Sequence, residues 1–201
     1  MLAADQRIIE TEIDFLINNS LYPTKEANGR RRKMFEFLCK IAASAKFKHG
    51  HEVKMLRCGS SFLKTYLPES DLDIVLVSQN NELHCLTSLL SAFCEEIYSK
   101  TDLEDPHTIR NVEFVNARTK VLHCLVNNIG VDMTVNQLSA LKGLTFLEEA
   151  DRVIGQNHLF KRSLLLIKVL LSILSYSYYY LIHYRLGAYM IVRLIQGAFQ
   201  F

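Results

Sequence analysis

The chain has 201 residues, 49% of them hydrophobic and 22% charged, with a formal net charge of +2. That composition supports a packed core in one good-sized domain or two small ones and excludes intrinsic disorder. A net charge this small excludes a general polycation, so any polyanion must be held by local patches.

Residues 4–18, "ADQRIIETEIDFLIN", place Ile8, Ile9, Ile13, Leu16 and Ile17 on one helical face. Pro23 and Gly29 punctuate the connection that follows. A second helix is expected over 31–46, with Met34, Phe35, Leu38, Ile41 and Ala42 inward. The basic run at 30–33 reads as a solvated helix end, with nuclear import or phosphate contact as the alternative. From His51 the period changes to two, and "HEVKMLRC" predicts a strand ending at Gly59-Ser60. "SFLKTYL" predicts a short helical turn, "PES" a tight loop, and "DLDIVLV" the next strand. An amphipathic helix over 81–100 presents Leu83, Leu86, Leu89, Leu90, Phe93 and Ile97. Three strands follow in "VEFVNA", "TKVLHCLV" and "VDMTV", the last two joined by the hairpin signal "NNIG". Helices are expected over 138–153, 159–175 and 186–199, with "IGQNH" as a break. The fold class is therefore α+β, a small mixed sheet flanked by helices. Its divisions are N-terminal helices over 1–48 that pack on the helical region, an α/β domain over 49–137, and a helical domain over 138–201.

Two segments need separate decisions. Residues 162–182 are long enough to span a bilayer and carry a tyrosine cluster, yet Lys168 interrupts them; a buried helix explains the same residues, and no stable membrane association is expected. The five cysteines are scattered, odd in number and without a CxxC pair, and acids interrupt the opening segment. This predicts an intracellular chain of the nucleus or cytoplasm with free thiols, and neither a disulfide framework nor a zinc site. His51, His84, His107, His123, His158 and His183 show no ligand spacing and are assigned no chemistry.

Asp71 and Asp73 stand two apart at the start of an apolar strand, so both project to one side. Two such carboxylates raise each other's pKa unless a cation lies between them, and Mg²⁺ suits hard oxygen donors. Asp132, in the apolar strand "GVDMTV", is the candidate third carboxylate of a two-metal site for in-line phosphoryl transfer. Gly59-Ser60 offers backbone N–H groups and a hydroxyl to a polyphosphate.

With these parts assembled, "GSSFLKTYLPESDLDIVLV" resembles the Gly-Ser … Asp-x-Asp signature of the DNA-polymerase-β-like nucleotidyltransferases, in their poly(A) polymerase and terminal uridylyltransferase branch. "LVNNIGVDMTVNQ" and "HLFKRSLLLIK" extend the likeness towards plant-type members, over residues 50–195 in all. The resemblance implies that Gly59 and Ser60 hold an NTP triphosphate and that Asp71, Asp73 and Asp132 bind Mg²⁺ or Mn²⁺. It also implies that Asp132 helps activate an RNA 3′-hydroxyl, that Lys168 contacts the triphosphate and that Tyr189 stacks on the base. Asn136 is implied as a supporting polar group. Ala188 stands where the family has a hydroxyl, and family members continue beyond position 201, so the sequence is read as a fragment. The 201 residues alone are accordingly expected to be weakly active and poorly soluble. The leading expectation is template-independent addition of NMP to RNA. A same-fold enzyme with another acceptor, or a non-catalytic binding module, is the alternative. Protein partners are not indicated.

Overall fold

The structure, a computed structural model, describes residues 11–12, 15–44, 53–79, 82–99 and 108–177. The chain forms two compact units, one of Thr24–Glu149 and one that combines Met1–Pro23 with Ala150–Phe201.

In the first unit, helix α1 (Lys25–Ser44) starts directly after Thr24. Its N-terminus is closed by Thr24, whose Oγ1 accepts a hydrogen bond from the Ala27 amide at 3.1 Å. This cap carries the helix through Gly29, so it begins six residues before the expected position 31. Met34, Phe37, Leu38, Ile41 and Ala42 are buried, and Phe35 packs half-buried beside them. Helix α3 (Glu82–Ser99) buries Cys85, Leu86, Leu89, Ala92 and Phe93, whereas Leu83, expected inward, is 47% exposed. Leu83 stands two residues, roughly 200° around the helix, from the fully buried Cys85 and so faces away from it.

Five strands form one mixed sheet in the order β1-β2-β5-β4-β3. Their ranges are Lys54–Arg57, Leu72–Val77, Ile109–Asn116, Lys120–Val126 and Ile129–Val135 in chain order. Strands β2 and β5 run parallel, while β1–β2, β3–β4 and β4–β5 are antiparallel. The β4–β5 hairpin turns on Asn127 and Asn128, both at positive φ (51° and 63°), the signature of a two-residue type I′ turn.

Alternation along the strands sorts side chains between two layers. Leu72, Ile74 and Leu76 of β2, Val131, Met133 and Val135 of β5, and Leu122, Cys124 and Val126 of β4 face the main core with α1 and α3. The opposite face carries a smaller cluster, in which Val75 meets Cys58, Leu63 and Leu144. Short helix α2 (Gly59–Leu63) and helix α4 (Leu138–Ile154) supply those partners. Asn136 laces the far ends of β2 and β5: its side chain exchanges two hydrogen bonds with the Ser78 backbone, at 3.0 and 2.8 Å.

In the second unit, a π-helical turn (Ile17–Leu21) is closed by the Tyr22 amide on the Ile17 carbonyl at 2.7 Å. Ile17 is buried, but Leu16 is 55% exposed rather than inward, because the widened turn shifts the helical period that the expectation assumed. Helix α5 (Leu159–Ser177) buries Phe160, Leu164 and Leu165. Its N-terminus rests on Asp151, 3% exposed, whose Oδ1 accepts from the Lys161 amide at 3.3 Å. Oδ2 of the same carboxylate lies 2.6 Å from His158 Nδ1 and 3.7 Å from Lys161 Nζ. No helix among the described residues is long and apolar enough to cross a membrane. The helix expected over 186–199 lies outside the described residues.

Candidate active site

The sheet face that carries the smaller cluster also carries the carboxylates. Asp73, on β2, is the direct register partner of Asp132 on β5, and Asp132 in turn is the partner of His123 on β4. Register partners on neighbouring strands stand about 5 Å apart and project to one side. His123, Asp132 and Asp73 thus form a row across three strands. Asp71 lies just before β2, two residues ahead of Asp73, with its carboxylate over Gly130.

Two glycines fit this arrangement. A Cβ on Gly130 would collide with Asp71 Oδ1, and a Cβ on Gly59 would collide with Asp73 Oδ2. Gly59 also has φ +61°, a left-handed conformation that side chains disfavour. Next to it, the Cys58 amide donates to the Asp73 carbonyl at 2.9 Å, fixing the end of β1 against the start of β2. Ser60 follows in the first turn of α2.

The electrostatics follow from crowding like charges on one face. Loss of water raises the Asp71 carboxyl above its ordinary value, and Asp132 raises it further, while His123 and Arg31 pull it down. Asp71 is nevertheless open to solvent on its outer side, which limits how far this shift can appear as stability. Burial, with Asp73 adding to it, pushes the Cys58 thiol up to about 12; burial with Asp132 does the same to Cys124. All five cysteines are free thiols.

His123 is the residue that sequence reasoning missed. Its Nδ1 lies 2.6 Å from Asp132 Oδ1, within hydrogen-bonding distance. The signal was present: in a two-residue hairpin centred on Asn127-Asn128, counting four positions outward along each strand lands on His123 and Asp132.

The donor set suits a hard divalent cation, since three carboxylates lie on one face of the sheet and two are seated where only glycine leaves room. As the side chains stand, no group of three His, Cys, Asp or Glu residues among the described ones is gathered closely enough to hold an ion. Asp132 is instead turned onto His123. Lys168 is half-buried on α5, in the other unit from the aspartates. Tyr189 and Ala188 lie outside the described residues.

A family model described as "Poly(A) RNA polymerase, mitochondrial-like, central palm domain" matches residues 9–148, more than half of the chain. A comparison with curated protein sequences found no match. Among solved structures, the GLD-2/RNP-8 complex is similar with a TM-score of 0.62 at 16% identity, covering 83% of this chain and 61% of that one. Cid1 poly(U) polymerase with MgGTP bound gives a TM-score of 0.62 at 14% identity, over 79% of this chain and 46% of that one. A cytoplasmic RNA terminal U-transferase gives 0.60 at 14% identity, over 79% and 43%. At these identities the likeness is one of fold, and the chain spans between 43% and 61% of the length of these three proteins.

Proposed function

The chain belongs to the family of the mitochondrial-like poly(A) RNA polymerase central palm domain, and from that membership we propose that it transfers a nucleoside monophosphate from an NTP to an RNA 3′ end. In this reaction the 3′-hydroxyl oxygen bonds to the α-phosphorus, the α–β phosphoanhydride bond breaks, pyrophosphate leaves and the hydroxyl proton is released. The observation that carries the reading is the row Asp73–Asp132–His123 with Asp71 over Gly130.

Asp71, Asp73 and Asp132 would hold Mg²⁺ or Mn²⁺, which when bound supplies charge neutralisation at the phosphoryl oxygens. Asp132 is the acceptor for the 3′-hydroxyl proton, directly or through solvent, and His123 holds that carboxylate by its Oδ1. Gly59 and Ser60 receive the triphosphate at the start of α2. By the family resemblance, Lys168 and Tyr189 are proposed as charge partner and base platform for the NTP. Structures of Cid1 with a UTP analogue and with 3′-dATP suggest UTP and ATP as the first substrates to try. The placement of Asp132 against His123 favours one rival reading: a binding module that has lost catalysis.

One experiment separates them. The chain is incubated with end-labelled RNA, each NTP in turn and Mg²⁺ or Mn²⁺, and extension and pyrophosphate are both followed. Extension that disappears in Asp73→Asn, with circular dichroism unchanged, supports the proposal. RNA binding without extension by any NTP establishes the binding module, and pyrophosphate release that does not depend on RNA points to another acceptor.

A further inference from the structure

The basic run at 30–33 divides in a way its composition does not announce. Arg30, Arg32 and Lys33 are exposed, and Arg32 pairs with Glu36 on the outer face of α1 at 3.5 Å. Arg31 is 3% exposed and forms no ion pair with any described carboxylate. A buried guanidinium is costly unless its donors are met. Here they are met by main-chain oxygens of one short segment, 67–71, which leads into β2. Nη2 donates to the Ser70 carbonyl at 2.5 Å and, more loosely, to those of Pro68 and Leu67 at 3.4 and 3.5 Å. Nη1 donates to the carbonyl of Asp71 itself at 3.4 Å. The guanidinium also lies over the Tyr66 ring, 4.1 Å from its centre, and the Tyr66 hydroxyl donates to Asn28 Oδ1 one turn earlier on α1, at 3.1 Å.

The segment has a framework of its own. The Leu67 amide donates to Ser70 Oγ at 2.9 Å, and the Ser70 amide donates to the Leu67 carbonyl at 3.0 Å. These bonds fold the turn, and four carbonyls, that of Leu67 shared with the Ser70 amide, converge on one side. Such a cluster of dipole ends requires a cation with a planar, multi-donor head, which is arginine and not lysine.

We propose that Arg31 is the positioning residue of the site: it fixes the 67–71 segment and thereby the direction from which the Asp71 carboxylate enters. The proposal rests on the carboxylate site described above for its functional meaning, though not for its geometry. Arg31 acts through the backbone of Asp71. Its charge is also felt at Asp71, so a fork role and a field role must be told apart.

The test uses the 201-residue chain and three variants, Arg31→Met, Arg31→Lys and the exposed control Arg32→Met. Hydrogen exchange is followed at the Leu67 and Ser70 amides and across β2 and β5, and Mn²⁺ affinity is measured by water-proton relaxation. Arg31→Met is expected to speed exchange at Leu67 and Ser70 at least about tenfold, to leave β2 and β5 protected and to weaken Mn²⁺ binding at least about tenfold. Arg31→Lys is expected to fail to rescue either, and Arg32→Met to change nothing. Exchange at 67–70 unaltered in Arg31→Met, or full rescue by Arg31→Lys, overturns the proposal. Should the wild-type chain bind no Mn²⁺, the metal reading of the site falls, while the exchange data still decide whether Arg31 holds the segment.

Discussion

Gly130 offers a perturbation in which stability and turnover should part company. It is buried on β5, two residues before Asp132, and the Asp71 carboxylate occupies the space a Cβ would need. Its φ is not left-handed, so Gly130→Ala brings no backbone strain. Alanine instead restricts the unfolded chain and favours the strand by roughly 0.5–1 kcal/mol. Against this stands the overlap with Asp71 Oδ1 and Cγ, which would cost about 1–3 kcal/mol if nothing moved. The obstructing atoms are the end of a side chain open to solvent, so Asp71 can swing to another rotamer for about 0.5–1.5 kcal/mol. The sum lies within about 1 kcal/mol of zero. The swing nevertheless carries the carboxylate more than an ångström from its place, which typically costs about 10²-fold in turnover, or about 2.7 kcal/mol of barrier. Urea unfolding read beside RNA extension gives both quantities on one sample. Gly59→Ala is the contrasting case: φ +61° adds about 1–2 kcal/mol of backbone strain, and Asp73 sits within the β2 ladder, so this variant should lose stability as well. Wild-type activity in Gly130→Ala would refute the reasoning, because it would mean that Asp71 need not lie over that position.

The remaining expectations concern charge and thiols. Asp151→Ala should cost about 1–3 kcal/mol in unfolding, because it removes a carboxylate partner of the buried Lys161 and the acceptor for the Lys161 amide at the start of α5; no measurable loss would show that solvent already reaches the pair. The Asp71 carboxyl is raised in the folded chain, so its contribution is full below the ordinary carboxylate value and is lost as pH rises through the folded one. Asp71→Asn should therefore stabilise the metal-free protein at neutral pH and flatten its stability profile above about pH 4, and a metal-free melting series against pH checks the sign. With thiols pushed up to about 12, Cys58 and Cys124 are protonated at pH 8 to all but roughly one part in ten thousand. They should resist iodoacetamide until urea unfolds the chain, and rapid native labelling at either would contradict their burial.

Local pattern made much of this fold legible. A period-two run marked β1, apolar and β-rich runs marked β2 to β5, and "NNIG" marked the hairpin, because Asn tolerates the positive φ that a two-residue turn demands. The start of α1 was misplaced because Gly29 outweighed a Pro-Thr pair whose capping role depends on a single hydroxyl. Asp71 and Asp73 stood out because they break an apolar run. That Asp73 lies directly beside Asp132 depends on parallel pairing across 59 positions, which no local pattern encodes. Arg31 was hidden for a related reason. A run of four basic residues looks solvated, and only the distant carbonyls at 67–71 single out its second member.

The Asn127-Asn128 turn has a consequence for how this chain tolerates changes of length. Pairing across β4–β5 is counted outward from those two residues, and β5 also meets β2 rung by rung. One residue added at the turn would have to be absorbed as a bulge. Failing that, β5 slips by one position, and its odd and even residues change sides of the sheet. Asp132 would then enter the layer held by Val131 and Met133, while a valine or methionine faced His123. The turn at 117–119, between β3 and β4, lies on the side of the sheet away from β2 and sets no partner for Asp132. An inserted tag or loop should be accommodated there and refused at 127–128, so that hairpin behaves as a ruler whose zero mark is the Asn pair.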